Sequence, residues 1–329
     1  MKNKKFTKKF IFFNHLLHLT KSIFFYKLLK KTNSFPTVFQ IQIVNTCNGS
    51  CLMCPNSTIE QNTEYIPDNL FKKIIDEIIH HSPSPSIILS LQNEPFLDDN
   101  LFNKIQYVKN KGGEKTQVLV VTNGSLLTNE KINELEKSEL DSLIISLDAF
   151  TEETFNKIRK GLNFNKIKTS IEKILKSNFS GSIFVGYVKQ RDNLTEFSKF
   201  KEYWRKKGVG IHLDFVNNRS SDLKNFKKIC LKYDEYSFGE KIVYFFFQRY
   251  LNICPTPLTT VNILTNGDVI LCCNDYSKKM ILGNVNKNSI LDIWNNEKYK
   301  RIREKFRDNE YKTIKACQNC SVMNLKFIS

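Results

Sequence analysis

The chain has 329 residues, of which 41% are hydrophobic, and a formal net charge of +17. That share over that length can bury a core of native size, which excludes a disordered tail and fits one large domain with a small appendage. Eight of the nine cysteines gather near residues 47–54, 254–273 and 317–320. Such clusters argue against the disulfide framework of a short secreted chain and for metal or redox sites in a reducing compartment, so a cytoplasmic location is expected.

In chain order, residues 1–36 form a basic extension. Asn14, His15, His18 and Lys21 interrupt each of its apolar runs and no small-residue cleavage site follows, so neither a signal peptide nor a membrane span is expected. Phe10, Phe13, Leu17, Phe24 and Leu28 can share one helix face flanked by lysines. Such a helix either packs on the main domain or makes peripheral contact with a membrane surface. Elsewhere the lysines are spread along the chain beside many Asn and Ile. This reads as compositional bias, and no nucleic-acid partner is expected.

From residue 37 short β-branched runs alternate with helical patterns, the signature of a parallel sheet with crossover helices. Strands are predicted at Val38–Val44, Ser86–Leu91, Gln117–Thr122, Ser142–Leu147, Ile183–Val188 and Ile211–Val216. Leu70, Phe71, Ile74, Ile75, Ile78 and Ile79 mark a helix face, and Phe155, Ile158, Ile167, Ile171 and Ile174 mark others. Six such units in residues 37–217 predict an α/β fold, an open or partial barrel of TIM type with reactive groups at the C-terminal strand ends. A connecting segment, 218–253, contains Phe245, Phe246 and Phe247, read as buried packing. A small Cys-bearing module, 254–325, follows.

Directly behind the first strand, Cys47, Cys51 and Cys54 form a C-x3-C-x2-C array. Three thiolates in one loop can bind three corners of a 4Fe-4S cube and leave one iron open to another molecule. A structural zinc loop would want four protein ligands, usually as paired C-x2-C.

These residues resemble the first loop of the radical S-adenosylmethionine (SAM) superfamily, whose core is a partial (β/α)6 barrel. By that resemblance Cys47, Cys51 and Cys54 hold the cluster, SAM chelates its fourth iron, and Met53 stands where the family packs an apolar residue against the adenine. Ser90-Leu91-Gln92-Asn93-Glu94-Pro95 resembles the family's Gly-Gly-Glu-Pro segment, with Glu94 the acid facing the SAM amino group and Gln92 and Asn93 in place of glycines. Thr122-Asn123-Gly124 matches the segment after strand 3. Ser146 ends strand 4 where the family's Ser binds SAM, and Arg159 resembles an arginine that pairs with the SAM carboxylate. Asn193, after strand 5, also reads as a helix N-cap.

In the last module Asn266-Gly267 predicts a hairpin between Val261–Leu264 and Val269–Leu271, folding Cys254 towards Cys272. Ser289-Ile290-Leu291-Asp292 predicts the start of a helix running to about Phe306. That helix returns the chain to Cys317 and Cys320, so four thiols can converge; zinc is the competing ligand. The module resembles the SPASM/Twitch extension of radical SAM enzymes in its one-cluster form, which implies a second 4Fe-4S cluster on Cys254, Cys272, Cys317 and Cys320. Cys273, beside Cys272, should face the opposite way. Cys230 reads as a buried small residue.

The resemblance implies an external one-electron reductant of flavodoxin or ferredoxin type and a radical that abstracts hydrogen from substrate. A fully ligated auxiliary cluster suits removal of the second electron. The expected activity is therefore net oxidation of a small polar substrate, a sugar or aminocyclitol, as in butirosin-type aminocyclitol dehydrogenases. A peptide or protein maturase is the alternative, although the 36 residues before the first strand are few for a leader-peptide binder. A non-catalytic iron–sulfur or zinc protein that binds nucleic acid is the third.

Overall fold

The computed structural model describes residues 33–59, 62–246 and 254–322. The basic N-terminal helix face and Phe247 lie outside them, as do the side-chain surroundings of Phe245 and Phe246. Among the described residues no helix is long and apolar enough to cross a membrane.

Six parallel strands follow one another across the sheet in chain order: β1 (Val38–Ile41), β2 (Ser86–Ile88), β3 (Gln117–Thr122), β4 (Ser142–Ser146), β5 (Ser182–Lys189) and β6 (Gly210–Phe215). Their β-branched runs suit strands covered on both faces. Helices α1 (Asp68–His81), α2 (Leu101–Gly112), α3 (Asn129–Lys137), α4 (Glu152–Ile158), α5 (Phe164–Lys176) and α6 (Phe197–Lys206) lie between them. The apolar face expected on α1 is the one buried, with Leu70, Phe71, Ile74, Ile75 and Ile78 inside and Ile79 half-buried. Thr128, Thr151 and Asn163 cap α3, α4 and α5 by accepting from the backbone N–H three residues on, which fixes where the chain turns after β3 and β4. The six-unit partial barrel is the architecture read from the sequence.

The sheet does not end at β1. The C-terminal strands β7 (Thr260–Ile263), β8 (Asp268–Ile270) and β9 (Ile281–Asn284) extend it, with β7 parallel to β1 and the rest antiparallel. The overall order is β9-β8-β7-β1-β2-β3-β4-β5-β6. At the β7–β8 turn Gly267 has φ +86°, and a Cβ there would meet Asn286 Nδ2 at 2.4 Å, so the turn requires glycine. The single helix expected from Ser289 to Phe306 is two: α7 (Ile290–Asn295) and α8 (Glu297–Arg307). Asn296 breaks it because its side chain accepts from Tyr299 N at 2.8 Å and starts a second helix. Trp294, Tyr299 and Phe306 from these helices join the same apolar core as the barrel.

Candidate functional site

The loop after β1 starts from a fixed base. Asn45 donates from its backbone to Glu64 O (3.0 Å) and from Nδ2 to Asn62 O (3.0 Å), and its Oδ1 accepts from Glu64 N (2.9 Å). Ser50–Cys51 then pairs antiparallel with Arg159–Lys160, and Leu52 N donates to Ile158 O at 2.7 Å. This pairing hangs the thiol loop on the end of α4. Cys47, Cys51 and Cys54 are free, half-buried thiols, each met by a donor group. Gly49 N lies 3.5 Å from Cys47 Sγ and Asn123 Nδ2 3.8 Å. Arg159 Nη1 lies 3.5 Å from Cys51 Sγ, and the Tyr276 hydroxyl 3.4 Å from Cys54 Sγ. Burial pushes the Cys47 thiol up, and the Cys51 thiol to about 12, against the pull of Arg159.

Glu94 and Asn123 brace this loop from the ends of β2 and β3. Glu94 is buried; its Oε1 accepts from Thr122 Oγ1 (2.6 Å) and Phe96 N (3.1 Å), and its Oε2 from Asn123 N (2.6 Å). Burial raises its carboxyl above the ordinary range, with these bonds opposing. Asn123 Nδ2 donates to Asn48 Oδ1 at 2.8 Å. The Glu94 side chain, expected from the sequence to meet SAM, is thus tied to the end of β3, and the Asn123 side chain, with the same expectation, to the thiol loop. Gln92 has φ +56°, so the left-handed backbone suited to the family's glycine persists without glycine. Its Nε2 donates to Cys273 O in the C-terminal module at 2.9 Å.

Arg159 makes a buried ion pair with Asp148, Nε and Nη2 reaching Oδ2 at 2.7 and 2.6 Å. Asp148 has φ +59°, accepts from Val188 N at 2.6 Å, and its backbone carbonyl accepts from Asn193 Nδ2 at 2.8 Å. Asn193 therefore fixes Asp148 as well as the start of its own helical turn. Sequence reading missed the role of Asp148, whose left-handed backbone and pairing with Arg159 show only in the structure. Ser146 is half-buried and in register with Gly186, where a Cβ would stand 3.3 Å from Ser146 Cα, so glycine keeps space beside it. Met53 is buried with Ile158, Val216, Leu223, Phe226, Ile229 and Cys230 in a separate apolar cluster.

The C-terminal thiols come from three stretches. Cys254, Cys272 and Cys317 join the main core, whereas Cys273 packs with Leu91, Leu264 and Ile270. The two adjacent cysteines touch different apolar groups, yet their thiols are hydrogen bonded to each other and do not point apart as expected, because the strand ends at Ile270, before both. Cys254 lies within charge reach of Cys320 and Cys273, Cys272 within reach of Cys254, and Cys317 within reach of Cys254 and Cys320. Burial pushes Cys254 to about 11 and raises Cys317 further. Cys273, hydrogen bonded with Cys272 and facing Arg219, is held below the ordinary thiol range.

The donor sets fit iron–sulfur clusters. Three thiols on one loop, with N–H and O–H groups near their sulfurs, fit a cube with three protein corners, and the five cysteines of the C-terminal module include the four thiols that a closed one needs. Among the described residues no three His, Cys, Asp or Glu side chains stand close enough to share one metal ion, whereas thiolates around a cube each take their own iron.

Comparison with known proteins agrees. Residues 41–203 match the model of the radical SAM superfamily, and residues 254–321 match an iron–sulfur cluster-binding domain. The chain is 20% identical over 295 residues to an S-adenosyl-L-methionine-dependent 2-deoxy-scyllo-inosamine dehydrogenase of Niallia circulans, covering 88% of this chain and 94% of that protein. It is 24% identical over 320 residues to a tungsten-containing aldehyde ferredoxin oxidoreductase cofactor-modifying protein of Pyrococcus furiosus, covering 86% of each. Among solved structures, BtrN in complex with AdoMet and 2-DOIA aligns with TM-score 0.59 at 18% identity, over 87% of this chain and 93% of that one. SuiB of Streptococcus suis bound to S-adenosylmethionine aligns with TM-score 0.67 at 17% identity, over 84% and 70%.

Proposed function

Because this chain belongs to the radical SAM superfamily and ends in an iron–sulfur cluster-binding domain, we propose that it carries out net oxidation of a small polar substrate of sugar or aminocyclitol type. It is a radical SAM enzyme of oxidoreductase type, and its cofactors are SAM, a 4Fe-4S cluster that binds it, and auxiliary iron–sulfur ligation. Cys47, Cys51 and Cys54 hold the first cluster; Cys254, Cys272, Cys317 and Cys320 hold the second. When bound, the first cluster and SAM supply a 5′-deoxyadenosyl radical able to take a hydrogen atom from substrate.

The residues of the chain do the rest. Arg159, locked by Asp148, sets a positive charge against the Cys51 sulfur. Glu94 fixes the ends of β2 and β3 around the loop through Thr122 and Asn123. Ser146, Asn123 and Arg159 line the side on which SAM is bound, and Met53 supplies apolar packing behind the loop. The oxidation reading rests on the number of thiols: Cys254, Cys272, Cys317 and Cys320, with Cys273 beside them, are enough to leave the auxiliary cluster no corner for substrate, so it suits taking one electron. The similarity to an aminocyclitol dehydrogenase over nearly its whole length supports the substrate class.

A peptide substrate is the second reading, since one structural neighbour is SuiB bound to its precursor peptide SuiA, with TM-score 0.63. Incubation of reduced enzyme and SAM with an aminocyclitol panel, and separately with short peptides, distinguishes the two. A two-electron-oxidised small molecule formed with 5′-deoxyadenosine supports the first reading. Turnover confined to peptides would replace it with the second.

A further inference from the structure

The segment that follows β6 runs through an unusual conformation. Arg219, Ser220 and Ser221 have φ of +47°, +55° and +74°, three successive non-glycine residues in the left-handed region. A residue with a Cβ is disfavoured in that region, so the surroundings must over-determine the shape. They do so from both sides. Asn218 N donates to Ser321 Oγ at 2.9 Å and its Oδ1 accepts from Ser321 N at 3.1 Å. Asp222 accepts from Ser277 Oγ at 2.6 Å and pairs with Lys279 at 2.7 Å. On the other side Asn225 Nδ2 donates to Leu52 O, inside the first thiol loop, at 3.0 Å.

The strap and the C-terminal module each bring one group towards the first thiol loop, Arg219 and Tyr276. Arg219 Nη1 is anchored on Asn274 Oδ1 at 2.6 Å, its Nε is buried with no partner, and its charge reaches Tyr276, Cys54 and Cys273. Tyr276, a buried residue of the C-terminal module, places its hydroxyl 3.4 Å from Cys54 Sγ. A thiolate bound to iron can only accept, so the hydroxyl must donate.

We propose that Tyr276 and Arg219 are positioning residues for the SAM-binding cluster: a hydroxyl donated to the Cys54 sulfur and a neighbouring guanidinium raise the reduction potential of that cluster, so the C-terminal module tunes radical initiation. Donors and positive charge beside the sulfurs favour the more negative, reduced cluster. The inference rests on the reading that Cys54 is a ligand of the first cluster. It makes the auxiliary module part of the first site as well as the bearer of the second.

The test is an EPR-monitored redox titration of anaerobically reconstituted protein, following the signal that changes when SAM is added. Tyr276→Phe keeps the buried ring and removes the hydroxyl. We expect its first cluster to keep its iron and its equilibrium constant for reduction to fall about tenfold, which is 59 mV towards more negative potential for a one-electron couple. Arg219→Gln should shift it in the same direction, and Arg219→Lys, which restores the charge, should recover most of that shift. Tyr107→Phe, whose hydroxyl meets Asp76 on the far surface, should leave it unchanged. An unshifted first cluster with full iron in Tyr276→Phe and Arg219→Gln, a shift confined to the auxiliary cluster, or loss of the first cluster altogether would each overturn the tuning role. Retention of the first cluster in Cys54→Ala would instead remove the ligand assignment on which it rests.

Discussion

The two thiol sets differ in how the chain surrounds them. Cys47, Cys51 and Cys54 sit half-buried on one loop, among polar donors supplied by four separate segments: Gly49, Asn123, Arg159 and Tyr276. Cys254, Cys272, Cys317 and Cys320 come from three distant stretches; Cys317 is buried in the apolar core, Cys254 and Cys272 are half-buried against it, and Cys320 is half-buried. In the proposed assignment, the three thiols of the first set would leave one iron for a small molecule. In the same proposed assignment, four thiols would close the corners of the second. On that assignment the number of thiols would separate an open site from a closed one built from the same ligand type.

The largest expected effect separates the two sets by metal content. Reconstituted protein should hold about eight irons, and the Cys47→Ala, Cys51→Ala, Cys54→Ala triple variant about four. Stoichiometric zinc retained on the C-terminal set would break the comparison. Next, the Cys317→Ala, Cys320→Ala variant should still make 5′-deoxyadenosine without coupling it to oxidised product. Because losing a cluster also removes folding free energy, absorbance of the first cluster and SAM affinity are to be measured with it. Oxidised product at the unaltered rate would reduce the second set to a structural role.

A smaller effect tests the polar frame of the open site. Asp148→Ala leaves the Arg159 guanidinium buried beside Cys51 without its carboxylate, and denaturant unfolding should show a loss of about 3–5 kcal/mol. The corresponding loss for Asp222→Ala, whose partner Lys279 is partly exposed, should be about 1 kcal/mol. Equal losses would mean the frame is no more than a surface pair.

The smallest effect is a pH slope. Burial raises the Glu94 carboxyl above its ordinary value of 4.5 in the folded protein. The folded state therefore holds that proton more tightly than the unfolded chain, and the stability this gives is present below pH 4.5 and lost as pH rises through the folded value. Thermal unfolding of the apoprotein from pH 4.5 upward should show this decline in the parent and not in Glu94→Gln. Parallel curves would show that the Glu94 carboxyl binds its proton equally well in the folded and unfolded states.

Much of the barrel was legible because its signals are local. Alternating β-branched runs and the periodic Ile and Leu of α1 and α5 give strands and helices without tertiary information, and the C-x3-C-x2-C spacing lies within one loop. The sheet joining β7 to β1 was not legible, since pairing between residues 38–41 and 260–263 leaves no mark in either segment. The break at Asn296 had a local sign, an Asn followed by Glu297, masked by the stronger cap at Ser289. At the site, the cysteines were readable by spacing, but the duties of Glu94 and Asn123 as braces, of Asp148 as the partner of Arg159, and of Tyr276 on Cys54 depend on contacts across tens to hundreds of residues.

The most direct measurement of the central claim is reductive cleavage of SAM by the first thiol set. Anaerobically reconstituted protein, given dithionite and SAM, should release 5′-deoxyadenosine and methionine, and the Cys51→Ala variant should release none while keeping the auxiliary cluster. Release of 5′-deoxyadenosine by Cys51→Ala at the parent rate would contradict the account.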